Sequence, residues 1–196
     1  LGSCEHRRWR STTATMGSKK GPRHVAVAIA VRVDESKTGR DRVLVCLVTS
    51  RKHKKEFVLP KGGVEAGESA RAAAARELDE EGTRMPLTAA GVSASMDRPP
   101  WCAENSEPVT IRDSKPHAAS PTADPSDPAF IPHTLYSVHE FLVPESACKE
   151  TWLESDERVR HWVPWDEACQ RVQWRRGMSE AMQRAALGTS SYLPPM

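Results

Sequence analysis

The stretch LPKGGVEAGESARAAAARELDEEGT, Leu59 to Thr83, gathers Glu68, Glu77, Asp79, Glu80 and Glu81 onto or beside one short segment. The segment is rich in strong helix formers up to Gly82, which is expected to stop the helix. Residues four apart share a helix face, so Glu77 and Glu81 project side by side and Glu80 flanks them. Arg76 is spaced to pair with Glu80, which leaves Glu77 and Glu81 facing each other and in need of a cation. Hard oxygen donors at this density suit Mg²⁺ or Mn²⁺, ions that keep several waters and are usually completed by substrate phosphates. An Ala/Glu/Arg-rich helix is also the ordinary composition of a solvated face. Two features argue for more. Acids at the C-terminal end oppose the helix dipole, and Gly62, Gly63 and Gly67 bring bare backbone to the same place.

Strands must hold this helix. HVAVAIAVRV places Val25, Val27, Ile29, Val31 and Val33 on one face and Ala26, Ala28 and Ala30 on the other. That pattern predicts a strand buried on both sides, with close neighbours on its alanine face. RVLVCLVTS predicts a second strand in a hairpin with the first, and EFVLP a short third strand leading into the acidic segment. Nine prolines between residues 84 and 132 argue against regular structure through most of that stretch, and its middle, about 103–129, is expected to be a mobile insertion. HTLYSVHEFLV restores the period-two alternation of a strand. DEACQRV and SEAMQRAAL read as helices, with Asp166 and Ser179 as first-turn or cap residues. The order of strands, helix, strands and helix predicts an α+β fold, an α/β/α sandwich.

The chain has 196 residues, enough for one sizeable core. Residues 1–22 read as a disordered or vector-derived tail, 23–188 as the domain, and 189–196 as a C-terminal tail. No run of eighteen apolar residues occurs, so no membrane span is expected, nor a secretory signal. A soluble, monomeric protein of the cytoplasm, or also of the nucleus, follows as the expectation. Five cysteines at unpaired spacings predict reduced packing thiols, not a disulfide framework or a zinc site. A net charge of +2 gives no reason to expect a nucleic-acid partner.

The acidic segment resembles the signature of the Nudix hydrolases, G-x5-E-x7-R-E-U-x-E-E-x-G-U with U aliphatic. Gly62, Glu68, Arg76, Glu77, Leu78, Glu80 and Glu81 fall on its positions in register. Thr83 stands where the family has glycine and Arg84 where it has an aliphatic residue, so the helix is expected to turn off one residue early. The resemblance implies a mixed central sheet with the signature helix on one side and a C-terminal helix on the other. It further implies that Glu77 and Glu81 bind the metal together with the carbonyl of Lys61 or Gly62. Glu68 would act at one remove or through water. Arg76 would orient Glu80, and Glu80 or a loop acid would be the base.

Such enzymes hydrolyse a diphosphate joined to some other group, so the substrate must be read elsewhere, the alternatives being another activity of the family, on capped RNA, ADP-ribose or a nucleoside triphosphate, or a catalytically idle domain that binds a phosphorylated ligand or a protein. Arg51, Lys52, His53, Lys54, Lys55 and Lys61 cluster immediately before the signature. A cationic rim beside a phosphate-cleaving centre favours a ligand with many phosphates. With Thr49, Ser50 and Arg51, this stretch resembles the diphosphoinositol polyphosphate phosphohydrolases, which also accept diadenosine polyphosphates. The C-terminal third, ESDERVRHWVPWDEACQRVQWRRGMSEAMQRA, is similar to the ending of the same subfamily. By position, Arg158, Arg160, His133, Arg23 and His24 are candidates for the far end of a polyphosphorylated small-molecule substrate. Trp162, Trp165 and Trp174 read as core.

Overall fold

The computed structural model describes residues 21–83, 108–143, 145, 148 and 150–185. Both expected tails, apart from residues 21 and 22, and residues 103–107 of the expected insertion lie outside this set. The elements are β1 (Arg23–Val33), β2 (Val43–Thr49), β3 (Phe57–Val58), β4 (Lys61–Gly63), α1 (Ala70–Leu78), β5 (Val109–Arg112), β6 (Thr134–Leu142), β7 (Arg160–Pro164), α2 (Trp165–Arg171) and α3 (Arg176–Arg184). The sheet runs β3-β2-β1-β6-β5, with β4 added to β1 and β7 to β2. It is mixed: β1 and β6 are parallel over nine residue pairs, whereas β1 pairs antiparallel with β2 and β4.

β1 is the central plank because both of its faces are apolar, which is what a strand covered on both sides requires. Its valines and Ile29 meet Trp165, Ala168 and Val172 of the α2 region and Met178, Ala181 and Met182 of α3. Its alanines meet Ala73, Ala74, Ala75 and Leu78 of α1, together with Phe141. Alanine on both sides lets the α1 backbone approach the sheet closely, as the large-small alternation of β1 predicts. The expected sandwich is present, with α1 on one side and the C-terminal helices on the other.

Four expectations are corrected. The stretch with many prolines contains β5, which pairs with β6, and residues 113–133 form turns tied by bonds such as His117 N to Ile131 O at 2.8 Å and His133 N to Lys115 O at 2.7 Å. Asx and Ser/Thr turns satisfy the backbone there without a ladder, so proline does not exclude order. Second, the helical path does not end at Gly82. Its α-helical bonding ends at Leu78, and Asp79–Thr83 continue as a π-helical turn. Gly82 adopts no left-handed cap; a Cβ on it would stand 3.1 Å from Cys46 Sγ, a tight contact. Third, α3 starts at Arg176, so Ser179 is in the first turn of the helix and is not its cap, which is Arg175. Fourth, Trp165 is core, but Trp174 is 39% exposed and donates from Nε1 to Phe57 O at 2.9 Å.

Candidate active site

The acidic cluster is assembled by the turn before α1, by α1 and its π-helical extension, and by the glycines of β4. Gly67 takes a positive φ of 88°, which only glycine adopts without strain, and the chain then turns into α1. Ser69 caps α1 by accepting from Ala72 N at 3.1 Å. β4 is held to β1 by the Val25–Gly63 and Val27–Lys61 pairs, so its backbone faces the end of α1. A Cβ on Gly62 would sit 1.8 Å from Glu77 Oε1, so the Glu77 carboxylate occupies the space where any other residue would carry a side chain.

Arg76 is the hub. Its guanidinium lies 2.9 Å from Glu68, 2.9 Å from Glu77 and 3.5 Å from Glu80, and it donates to Gly63 O at 3.0 Å. These bonds keep Arg76 protonated well above its ordinary range, and they hold the Glu68 carboxyl below its own. Burial acts the other way on the two remaining acids. The Glu77 carboxyl is pushed up by desolvation despite Arg76, and so is that of Glu81 despite Lys61 and Arg158. Glu81 is 4% exposed; it accepts from Lys61 N at 3.0 Å and pairs with Arg158 at 2.9 Å. The cation that the Glu77 and Glu81 spacing demands is therefore supplied, in this structure, by two arginines. Lys61 itself is depressed by burial.

The residues fit a divalent cation in kind. Glu77, Glu81 and the nearby Lys61 and Gly62 carbonyls are all hard oxygen donors, and a half-buried and a buried carboxylate, both with raised pKa values, are groups a cation would stabilise. Among the described residues, no group of three or more His, Cys, Asp or Glu side chains converges as a cage.

Residues 22–185 match the NUDIX domain family. The chain belongs to the Nudix family. No curated protein matches the chain significantly. Among solved structures, the Nudix fold here is similar to the E. coli dihydroneopterin triphosphate pyrophosphohydrolase, with 13% identity, 87% of this chain and 100% of that chain covered, and a TM-score of 0.51. A C. elegans Ap4A hydrolase binary complex shares 14% identity over 82% of this chain and 93% of that one, with a TM-score of 0.49. The NUDIX domain of Shewanella oneidensis NrtR, complexed with ADP ribose, shares 15% identity over 84% and 88%, also at 0.49. At these identities the likeness concerns the fold alone. Nudix membership makes a pyrophosphohydrolase acting on phosphorylated small molecules, with a divalent metal such as Mg²⁺ or Mn²⁺, the general description of the chain.

The basic candidates divide into distinct places. Arg51, Lys52, His53, Lys54 and Lys55 form an exposed loop between β2 and β3. Ser50 lies buried beneath it and accepts from His53 N at 3.3 Å, while Thr49 Oγ1 accepts from Val159 N at 3.1 Å. Arg51 pairs with Glu154, which also holds Arg158 at 3.1 Å. Arg158 is thus buried between two acids. Arg160 donates to Gly82 O at 2.8 Å and lies over the Trp152 ring. Arg23 and His24 are exposed at the start of β1, where Arg23 N donates to His133 O at 3.0 Å and His24 O accepts from Val64 N at 3.2 Å. Two organising residues escape sequence reading. Glu154 joins the basic loop to the acidic cluster; its i,i+4 spacing to Arg158 was the available signal. Trp174 packs edge-on to His53, with ring centroids 5.2 Å apart, and nothing local in the sequence connects them.

Proposed function

We propose that the chain is a metal-dependent pyrophosphohydrolase that cleaves the diphosphate of diphosphoinositol polyphosphates and also splits diadenosine polyphosphates. The observation that carries this reading is the coupling of acids and bases through Glu154. The exposed loop of Arg51, Lys52, Lys54 and Lys55 is tied by Arg51 and Glu154 to Arg158, which touches Glu81. A highly anionic chain drawn to the loop is thereby delivered beside the acids.

Glu77 and Glu81, with the Lys61 or Gly62 carbonyl, would hold the metal. When bound, a divalent cation supplies charge stabilisation for attack of water on phosphorus. Arg76 fixes Glu68, Glu77 and Glu80 relative to one another. Glu80 is the helix acid open to water: its side chain is 34% exposed, against 12% for Glu77 and 5% for Glu81. Its exposure supports Glu80, ahead of a loop acid, as the group that takes the proton of the attacking water, with Arg76 at 3.5 Å setting its direction. Lys52, Lys54 and Lys55 attract the remaining phosphates, and His133, Arg23, His24 and Arg160 extend the basic surface.

The test is phosphate release from a diphosphoinositol pentakisphosphate and, in parallel, cleavage of a diadenosine polyphosphate, each with and without Mg²⁺. Metal-dependent release from the inositol compound supports the reading. Folded, Mg²⁺-binding protein that turns over neither compound would overturn it.

A further inference from the structure

Glu154 stands between two arginines in different surroundings. Its Oε1 accepts from Arg51, whose side chain is 58% exposed in the basic loop, and its Oε2 lies 3.1 Å from Nε of Arg158, whose side chain is 4% exposed. Arg158 in turn reaches Glu81 Oε1 at 2.9 Å, and Glu81 Oε2 accepts from Lys61 N at 3.0 Å. Arg51, Glu154, Arg158 and Glu81 thus form a row of alternating charge that runs by direct contact from the loop to the acid. We propose that Glu154 is a positioning residue for the metal site. By dividing itself between Arg51 and Arg158 it sets how strongly Arg158 competes with a divalent cation for Glu81, so an anionic group that takes Arg51 strengthens metal binding. This role rests on Glu77 and Glu81 being the metal acids, as argued above.

The backbone around Glu154 is fixed. Its N donates to Glu80 O at 3.2 Å, and its O accepts from Glu157 N and Arg158 N, each at 3.0 Å. Arg160 adds a bond to Gly82 O at 2.8 Å. The segment before β7 is therefore pinned to the π-helical turn that carries Glu80 and Glu81, and what remains free to trade partners is the side chains.

The two contacts of Arg158 are close but poorly aligned. Nε and Nη1 of Arg158 and Oε2 of Glu154 are buried and make no hydrogen bond of good geometry, although their ion-pair distances are short. A guanidinium stretched between two acids gives neither of them the parallel two-bond fork that it forms best with one carboxylate. Buried charged groups without aligned partners are costly, so an exchange that improves alignment is favoured.

Arg51 prevents that exchange while it holds Glu154 Oε1. Once Arg51 turns to an anion in solution, Glu154 can offer both oxygens to Arg158, and the hold of Arg158 on Glu81 weakens. Linkage makes the effect reciprocal: a cation at Glu81 leaves Arg158 to Glu154 and loosens Arg51 for the anion. Arg51, being exposed, is the member of the row that a solute can reach.

The experiment is isothermal titration of the full chain with Mn²⁺ in about 0.5 M NaCl, where through-space effects of exposed charges are screened within a few ångströms. R51A is expected to bind Mn²⁺ severalfold more tightly than wild type. E154Q should bind it about tenfold more weakly, because Arg158 then leans on Glu81 alone. In R51A/E154Q the gain from R51A should vanish, and R51K should return the affinity toward that of wild type. A merely structural role for Glu154 predicts a loss from either change and a gain from neither. R51A, at an exposed position, carries the test alone if E154Q does not fold. R51A that binds no tighter, E154Q that binds as tightly as wild type, or a gain that survives in the double variant overturns the role. E81Q separates this role from the function proposed above. Mn²⁺ binding that is absent from wild type, or unchanged in E81Q, removes the metal assignment and this role with it. Binding that is lost in E81Q but unchanged in R51A and E154Q removes the role of Glu154 alone. The expected pattern in protein that turns over no diphosphoinositol pentakisphosphate leaves the role standing and removes the substrate assignment.

Discussion

The acidic cluster and the basic loop are both runs of like charge in the sequence, yet the fold treats them in opposite ways. The acids are interlocked: Arg76 contacts three of them and Gly63 O, and Arg158, 4% exposed, closes over Glu81. The loop cations are exposed, and the ion pair from Arg51 to Glu154 is their link to the cluster. Charges packed in low dielectric with fixed partners set the geometry of a reaction, whereas charges in water set where a ligand arrives. Substitutions in the two regions should therefore differ in size and in salt dependence.

The largest effect is expected at Glu81. Glu81→Gln keeps the size and the acceptor for Lys61 N but removes the charge, and should lower turnover about 10²–10³-fold. Circular dichroism should show an unchanged fold. Isothermal titration with Mn²⁺ should show weakened binding, and a variant with full activity would remove Glu81 from the metal site.

Arg76→Ala strands Glu68, Glu77 and Glu80 together. Unpaired, partly buried carboxylates should cost about 1–3 kcal/mol of stability, after discounting for the 22% exposure of Arg76. Activity should fall about 10–100-fold, as is typical when a group that orients ligands is lost. Urea unfolding alongside steady-state kinetics measures both. Gly62→Ala is a sharper test, because the new Cβ collides with the Glu77 carboxylate, the movable end of a flexible side chain. The side chain can swing away, so stability should change by less than about 1 kcal/mol. Turnover should nevertheless fall about tenfold or more, and an unchanged kcat would mean that the position of Glu77 does not matter.

The two regions also differ in how far the sequence exposes them. Local patterns suffice for β1, whose alternation announces both covers, and for α1, whose acids carry a spaced signature. They fail where a contact joins distant segments. β5 hides among prolines because a four-residue edge strand needs only β6 to define it. β4 hides because Lys61–Gly63 reads as a glycine turn until β1 pairs with it. Gly82 reads as a helix stop, yet it lies inside the π-helical turn, packed close to Cys46 on β2. Among candidate site residues, the partner of Arg76 at Glu80 follows from spacing, whereas its partner at Glu68 is brought in by the turn before α1. Burial of Arg158 against Glu81 depends on the segment before β7 crossing the end of α1, where Glu154 N donates to Glu80 O at 3.2 Å.

In the basic loop, Lys54→Ala/Lys55→Ala removes two exposed cations without exposing any buried acid. Thermal stability should stay within about 0.5 kcal/mol of the parent. The apparent KM for a polyphosphorylated substrate should rise severalfold at low ionic strength, and the difference should shrink toward 0.5 M salt as screening shortens to a few ångströms. A salt-independent defect would place these lysines in direct, desolvated contact with substrate.

His139 marks the remaining case, a basic group that is half-buried and so kept neutral. It lies on the alanine side of β6, with Nε2 3.0 Å from Ser137 Oγ, and burial, aided by the nearby Arg71 charge, lowers its pKa to about 4. A depressed folded-state pKa means that the unfolded chain binds the proton first as acid is added. Stability is therefore undiminished above about pH 6.5 and is lost as pH falls toward 4. Discounted for partial exposure, the loss should be about 1 kcal/mol. His139→Asn, measured by urea unfolding at pH 7 and pH 5, should flatten that part of the profile. If parent and variant lose stability equally over this interval, protonation elsewhere drives the acid sensitivity, and the burial that holds His139 neutral is not what distinguishes it from the loop cations.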